Sequence, residues 1–157
     1  MAAKIALIIG GTGGLGAACA EDLAKDHTVI VAGRNKEKAD VIVGKITSAG
    51  GKASFTFVDI LDPESIAALH KDVVDKHGRL DVAVNAAGIL PAFEKLVDTR
   101  KEDFDRCMTI NVTGVYLSMQ EQIRAMQKNP DKSGGVLVNF SSIYGLTGCK
   151  WGSTYGS

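Results

Sequence analysis

The chain has 157 residues, room for one domain with a sizeable core and too little for two ordinary ones. Basic and acidic residues number 18 each, so no net positive field draws it toward nucleic acid or an anionic membrane. At 45% hydrophobic and 23% charged, with three prolines, it is neither disordered nor fibrous.

Cys19, Cys107 and Cys149 are odd in number and contain no C-x-x-C pair. That argues against a disulfide framework or a metal site and for a reducing, cytoplasmic compartment. The early apolar run Ile5–Ile9 is too short for a signal-peptide core or a membrane span.

Strand-like runs rich in Val and Ile fall at Ile5–Ile9, Thr28–Ala32, Ala53–Val58, Val82–Val84 and Gly135–Phe140. Between them lie helix-compatible stretches at Leu15–Lys25, Lys36–Ser48, Pro63–Lys76 and Lys101–Gln127. Short continuous apolar runs suit strands covered on both faces, and their alternation with helices is the pattern of βαβ units. The expectation is one α/β domain over residues 1–157, a Rossmann-type doubly wound parallel sheet with helices on both faces. After Phe140 the chain reads as a loop to Ser157, so the domain is expected to be incomplete, its C-terminal strands and helices missing. Such a chain should expose Gly135–Phe140 as an apolar edge and be poorly soluble or self-associated.

Eighteen glycines exceed average usage of roughly 7%, and five of them stand in Gly10-Gly11-Thr12-Gly13-Gly14-Leu15-Gly16, between the first strand and first helix. Glycine admits positive φ and close backbone approach, and a helix N-terminus offers unpaired N–H groups to a pyrophosphate. Candidate dinucleotide-binding residues are therefore Gly10, Thr12, Gly13, Gly14, Leu15 and Gly16. Gly11, Gly13 and Gly16 form G-x-G-x-x-G, whereas Gly10, Gly14 and Gly16 form G-x-x-x-G-x-G; the glycines alone do not choose. At the tip of the second strand stands no acid but Arg34, followed by Asn35. An acid there suits a ribose hydroxyl and an arginine a 2′-phosphate, which favours NADP(H) over NAD(H). The plainer reading of Arg34 is a solvated basic helix start.

Further along, several motifs together resemble the short-chain dehydrogenase/reductase family over essentially the whole chain. They are the Gly10/Gly14/Gly16 turn, Asp59 and Ile60 after the third strand, Asn85-Ala86-Ala87-Gly88, Asn111, Ser142, and Tyr155 thirteen residues later. The resemblance implies that Asp59 meets the adenine ring, that Ile60, Asn85, Ala86 and Gly88 also line the cofactor site, and that Tyr155 serves both cofactor and catalysis. It further implies that Asn111, Ser142 and Tyr155 are catalytic. Departures are Ile9 where threonine is common, Ala86 for the motif's second asparagine, and a Tyr-x-x-x-Lys lysine that would fall two residues beyond Ser157.

In this chemistry a hydride passes between nicotinamide and a carbonyl carbon, with Tyr155 as general acid or base and Ser142 holding the oxygen. A free phenol, with pKa about 10, is only about 0.1% ionised at pH 7 and needs a nearby positive charge. Without the lysine, Tyr155 is expected to be poorly activated. Phe104, Met108, Val115, Met119, Ile123 and Met126 form a helical apolar stripe containing Asn111. A buried amide there needs partners; the choice is between a structural amide and one ordering a relay water, and the resemblance favours the water.

His27, His70 and His77 read as surface helix or turn residues without metal spacing, and the methionines of the stripe as core packing. Cys149 and Trp151, between Ser142 and Tyr155, and the segment 89–94 are candidates to face substrate. The reading is an NADP(H)-dependent oxidoreductase of 3-oxoacyl-reductase type, acting on a carbonyl or secondary alcohol, with no metal. Nucleic-acid and membrane partners are not expected; the resemblance implies a homodimer or homotetramer. The alternatives are a non-catalytic NADP(H)-binding module, or an epimerase or dehydratase of the related extended group.

Overall fold

The computed structural model describes residues 3–157. Five strands, β1 (Lys4–Ile9), β2 (His27–Gly33), β3 (Lys52–Phe57), β4 (Val82–Asn85) and β5 (Val136–Asn139), form one all-parallel sheet in the order β3-β2-β1-β4-β5. Helices α1 (Gly14–Leu23), α2 (Lys36–Ser48), α3 (Pro63–His77), α4 (Lys101–Met108) and α5 (Val115–Met126) cover both faces. The doubly wound expectation holds.

The strands' period of two divides the core. Ile5, Leu7, Ile9, Ile30 and Ala32 pack with Ile66, Leu69 and Val73 of α3 and with Ala125 and Met126 of α5. Ala6, Ile8, Val29 and Val31 pack on the other side with Ala20 of α1 and with Ala39 and Ile46 of α2. Asn35 caps α2 through Lys38 N–H, and Asp62 caps α3 through Glu64 N–H, with Pro63 in its first turn. Gly78 ends α3 in the left-handed region at φ 70°.

Below the sheet, Arg79 is buried and clasps Asp81 through both Nε and Nη2, at 2.8 and 2.6 Å. It also reaches Asp131 at 3.0 Å, while Asp81 accepts from the Ile5 amide at 2.8 Å. This ties β1, the start of β4 and the turn before β5 together. Burial pushes the Asp81 carboxyl up, but the Arg79 guanidinium and the Ile5 amide outweigh it and hold its pKa below the ordinary value.

Two expectations are corrected here. The stretch Lys101–Gln127 is interrupted by a π-helical segment, Thr109–Gly114, between α4 and α5. Its buried stripe is Cys107, Ile110, Gly114, Ser118, Gln122 and Ala125, one residue out of step with the apolar stripe. Phe104 and Ile123 are exposed instead. The small and polar residues face inward because Gly114 lies against Ile60, where a Cβ would collide with that side chain, and Gln122 has a buried partner. His70 is no surface residue. It is 2% exposed on α3, with Nδ1 2.7 Å from the Ile66 carbonyl and Nε2 without a hydrogen-bond partner among the described residues.

Candidate functional site

The sheet order reverses between β1 and β4, and a crevice opens where such a reversal separates the crossovers, beyond the strands' carboxyl ends. Register sets these ends level: Ile9 pairs with Ala32 on one side and Asn85 on the other. Gly10 N–H donates to Ala32 O at 2.9 Å, and Ala86 N–H to Ile9 O at 2.8 Å.

A first cleft, of about 220 Å³, is lined by Gly10, Thr12, Gly13, Arg34, Asp59, Ile60, Ala86 and Gly88, together with Ile9, Ala87 and Ile110. Gly10 has φ 81°, and a Cβ on it would lie 2.5 Å from the Ala87 nitrogen. A Cβ on Gly16 would collide with the Gly10 carbonyl. The turn therefore demands glycine at Gly10 and Gly16, two positions of the G-x-x-x-G-x-G reading. Gly14 is different: a Cβ there meets nothing within 4 Å, so the space beside it is open. The N-cap of α1 is Gly13, which offers no side-chain acceptor, whereas α2 and α3 have theirs. A glycine cradle at an uncapped helix N-terminus fits an anionic pyrophosphate, and Arg34 in the same cleft fits a further phosphate.

A second cleft, of about 430 Å³, is lined by Leu15, Leu90, Asn111, Val115, Ser141, Ser142, Gly145 and Tyr155, among others. It shares Ala86, Ala87, Gly88 and Ile89 with the first. Phe140 N–H donates to Asn85 O at 3.2 Å, which brings Ser141 and Ser142 alongside the end of β4. Ser142 Oγ accepts from Tyr144 N–H at 3.3 Å, as cap of the short 3-10 turn Ile143–Gly145. Its lone pair is thus engaged and its O–H remains a donor. Leu15 is exposed at the junction of the clefts.

Three sequence-selected side chains have other work. Asn85 is 2% exposed, and its amide donates to Gln122 Oε1 at 3.0 Å and Asn139 Oδ1 at 2.8 Å while accepting from Gln122 Nε2 at 2.8 Å. It joins β4 to α5 and β5 and does not line the cofactor cleft. Asn35 likewise spends its side-chain oxygen on the α2 cap and lies outside both clefts. Asn111 lines the second cleft, but both ends of its amide hold Ile89: Oδ1 accepts from Ile89 N–H at 2.9 Å, and Nδ2 donates to Ile89 O at 2.8 Å. Nδ2 is also 3.3 Å from Cys107 Sγ, a thiol whose pKa burial pushes up. The amide is therefore structural, pinning the loop after β4 onto the π segment. Such segments recur at functional sites because they re-aim side chains locally.

Sequence reasoning passed over Gln122, Asn139 and Tyr144. Gln122 was hidden by its surroundings, an amide one step off an apolar stripe; a buried partner such as Asn85 is the signal that identifies it.

Comparison with known proteins follows this geometry. A family model described as short chain dehydrogenase matches residues 4–157. A 3beta-hydroxysteroid dehydrogenase of Mediterraneibacter gnavus is 35% identical over 97% of this chain. The crystal structure of a metagenomic short-chain oxidoreductase in complex with NADP superposes with a TM-score of 0.92 at 29% identity over 99% of this chain. A variant of actinorhodin polyketide ketoreductase with NADPH gives 0.90 at 28% identity over 99%. The chain spans 54%, 69% and 60% of these three proteins' own lengths.

Proposed function

Since the chain belongs to the short chain dehydrogenase family, we propose that it serves NADP(H)-dependent hydride transfer between nicotinamide and a carbonyl or secondary alcohol. The observation that carries this reading is the junction of the two clefts. The glycine cradle and Arg34 lie on one side of Ala86–Ile89, and Ser142 and Tyr155 on the other. A dinucleotide held by its phosphates on the α1 N-terminus would extend toward Ser142 and Tyr155.

Gly10, Thr12, Gly13, Gly14 and Gly16 would hold the pyrophosphate, Asp59 and Ile60 the adenine end, and Arg34 the 2′-phosphate that separates NADP(H) from NAD(H). Bound there, the nicotinamide supplies or takes the hydride. Ser142 directs its O–H to the substrate oxygen, and Tyr155 delivers a proton to that oxygen in reduction and removes it in oxidation. Asn111 keeps the Gly88–Leu90 backbone against this centre. A 3-oxoacyl group and an alicyclic ketone both fit the proposed chemistry. Exposed Val112, Tyr116 and Ile123 on the helical face favour self-association, in keeping with a homo-oligomer.

The test is dinucleotide affinity by calorimetry. Arg34→Ala is expected to lower NADPH affinity by about 1.5–3 kcal/mol, the range for hydrogen bonds to charged groups, and to leave NADH nearly unaffected. Equal losses remove Arg34 from the 2′-phosphate, and binding of neither dinucleotide by the unaltered protein refutes the reading.

A further inference from the structure

The geometry points to Tyr144 as a positioning residue that sets both Ser142 and Tyr155, and that links them to the loop after β4. The inference rests on the reading of Ser142 and Tyr155 as the proton-handling pair.

Tyr144 touches each member by a different part. Its backbone N–H donates to Ser142 Oγ at 3.3 Å and so restricts where that hydroxyl can turn. Its ring meets the Tyr155 ring edge to face, with centroids 6.2 Å apart and planes at 85°. A second edge-to-face contact, at 6.2 Å and 73°, joins Tyr144 to Phe93. Phe93, Tyr144 and Tyr155 thus form an aromatic ladder in an arrangement favoured by ring quadrupoles.

The backbone closes the same connection. Glu94 N–H donates to Trp151 O at 2.7 Å, and Glu94 and Gly152 form a parallel bridge. Trp151 adopts φ 58°, a left-handed conformation that a tryptophan rarely takes and that surrounding contacts must hold. At Gly152 a Cβ would collide with Cys149 Sγ and lie 2.9 Å from Phe93 Cε1. The 143–155 segment is thereby zipped to the 93–94 segment, with Tyr144 between Phe93 and Tyr155. Neither ring contact uses the Tyr144 hydroxyl, so the aromatic face is what matters.

Phenol placement governs proton transfer steeply, and a misplacement of about 1 Å can cost on the order of a hundredfold in rate. Tyr144→Leu keeps the N–H to Ser142 but removes both ring contacts. The experiment follows NADPH oxidation with cyclohexanone in the unaltered protein and in Tyr144→Leu, Tyr144→Phe, Phe93→Leu and Tyr155→Phe. In parallel, aromatic NMR of the same proteins follows the Tyr155 ring signals, identified by their loss in Tyr155→Phe. Tyr144→Leu should lower kcat about 10- to 100-fold with the NADPH KM unchanged. Tyr144→Phe should restore most of that loss. Phe93→Leu, at an exposed position, should give a smaller loss in the same direction and serves if Tyr144→Leu does not fold. The Tyr155 signals should move in Tyr144→Leu and keep their positions in Tyr144→Phe.

If Tyr155→Phe abolishes turnover while Tyr144→Leu leaves kcat intact, Tyr144 has no positioning role and Tyr155 keeps its own. If Tyr155→Phe turns over normally, the reading of Tyr155 falls and takes this inference with it. If the unaltered protein shows no turnover with this probe, the NMR decides: unmoved Tyr155 signals in Tyr144→Leu overturn the inference, and signals moved there but retained in Tyr144→Phe uphold it.

Discussion

Replacing Gln122 by leucine isolates the buried amide pair under the site. Gln122 is fully buried and exchanges two hydrogen bonds with Asn85, at 2.8 and 3.0 Å. Leucine of similar size removes both and leaves the Asn85 amide with only Asn139, at 2.8 Å. Two neutral hydrogen bonds contribute about 1 kcal/mol each, and a stranded buried acceptor costs about 1–3 kcal/mol. Leucine's extra apolar burial offsets part of this, so the expected loss is about 2–4 kcal/mol. For a domain of this size that is a fall in Tm of roughly 4–16 °C. Urea unfolding followed by circular dichroism measures it. Asn85→Val alone should cost a comparable amount by stranding Gln122, but the double variant should cost less than the sum by about 1–3 kcal/mol. Strictly additive losses, or a loss below about 0.5 kcal/mol in Gln122→Leu, would refute the pairing. A Gln122→Leu protein that unfolds normally but binds NADPH poorly would return Asn85 to the cofactor.

Two glycines of one turn should respond oppositely. Gly10→Ala places a Cβ against the Ala87 backbone at φ 81° and should destabilise by more than about 2 kcal/mol in urea unfolding. Gly14→Ala meets no atom within 4 Å, so its fold should be as stable or slightly more so, while NADPH affinity measured by calorimetry drops. Unchanged affinity there would place the pyrophosphate elsewhere. His70 makes acid stability a further test. Burial lowers its pKa below the ordinary 6.5, against the opposing Ile66 carbonyl and Glu121. Below about pH 6.5 the unfolded chain therefore binds a proton that the folded chain refuses. Stability should be full above that pH and decline as pH falls toward the lowered value. His70→Leu should flatten this part of the urea-midpoint curve, and an unchanged slope would show that another group carries it.

Alternating Val/Ile runs and amphipathic stretches determined the parallel, doubly wound sheet, because strands buried on both faces leave few other arrangements. The glycine cluster and Arg34 were equally legible, since backbone freedom and permanent charge are properties of the residue itself. What each amide does was not. Asn85, Asn111 and Asn35 look alike in sequence, yet one pairs with Gln122 across 37 positions, one grips Ile89 across 22, and one caps its own helix. The inward face of α5 also escaped pattern reading, since its small and polar residues are buried by Ile60 and Asn85, not by their own hydrophobicity. Periodicity reports how apolar a face is, whereas a buried polar partner or a Cβ collision exists only once distant segments meet. Tertiary structure alone decided those, and with them the ladder that places Tyr144 between Phe93 and Tyr155.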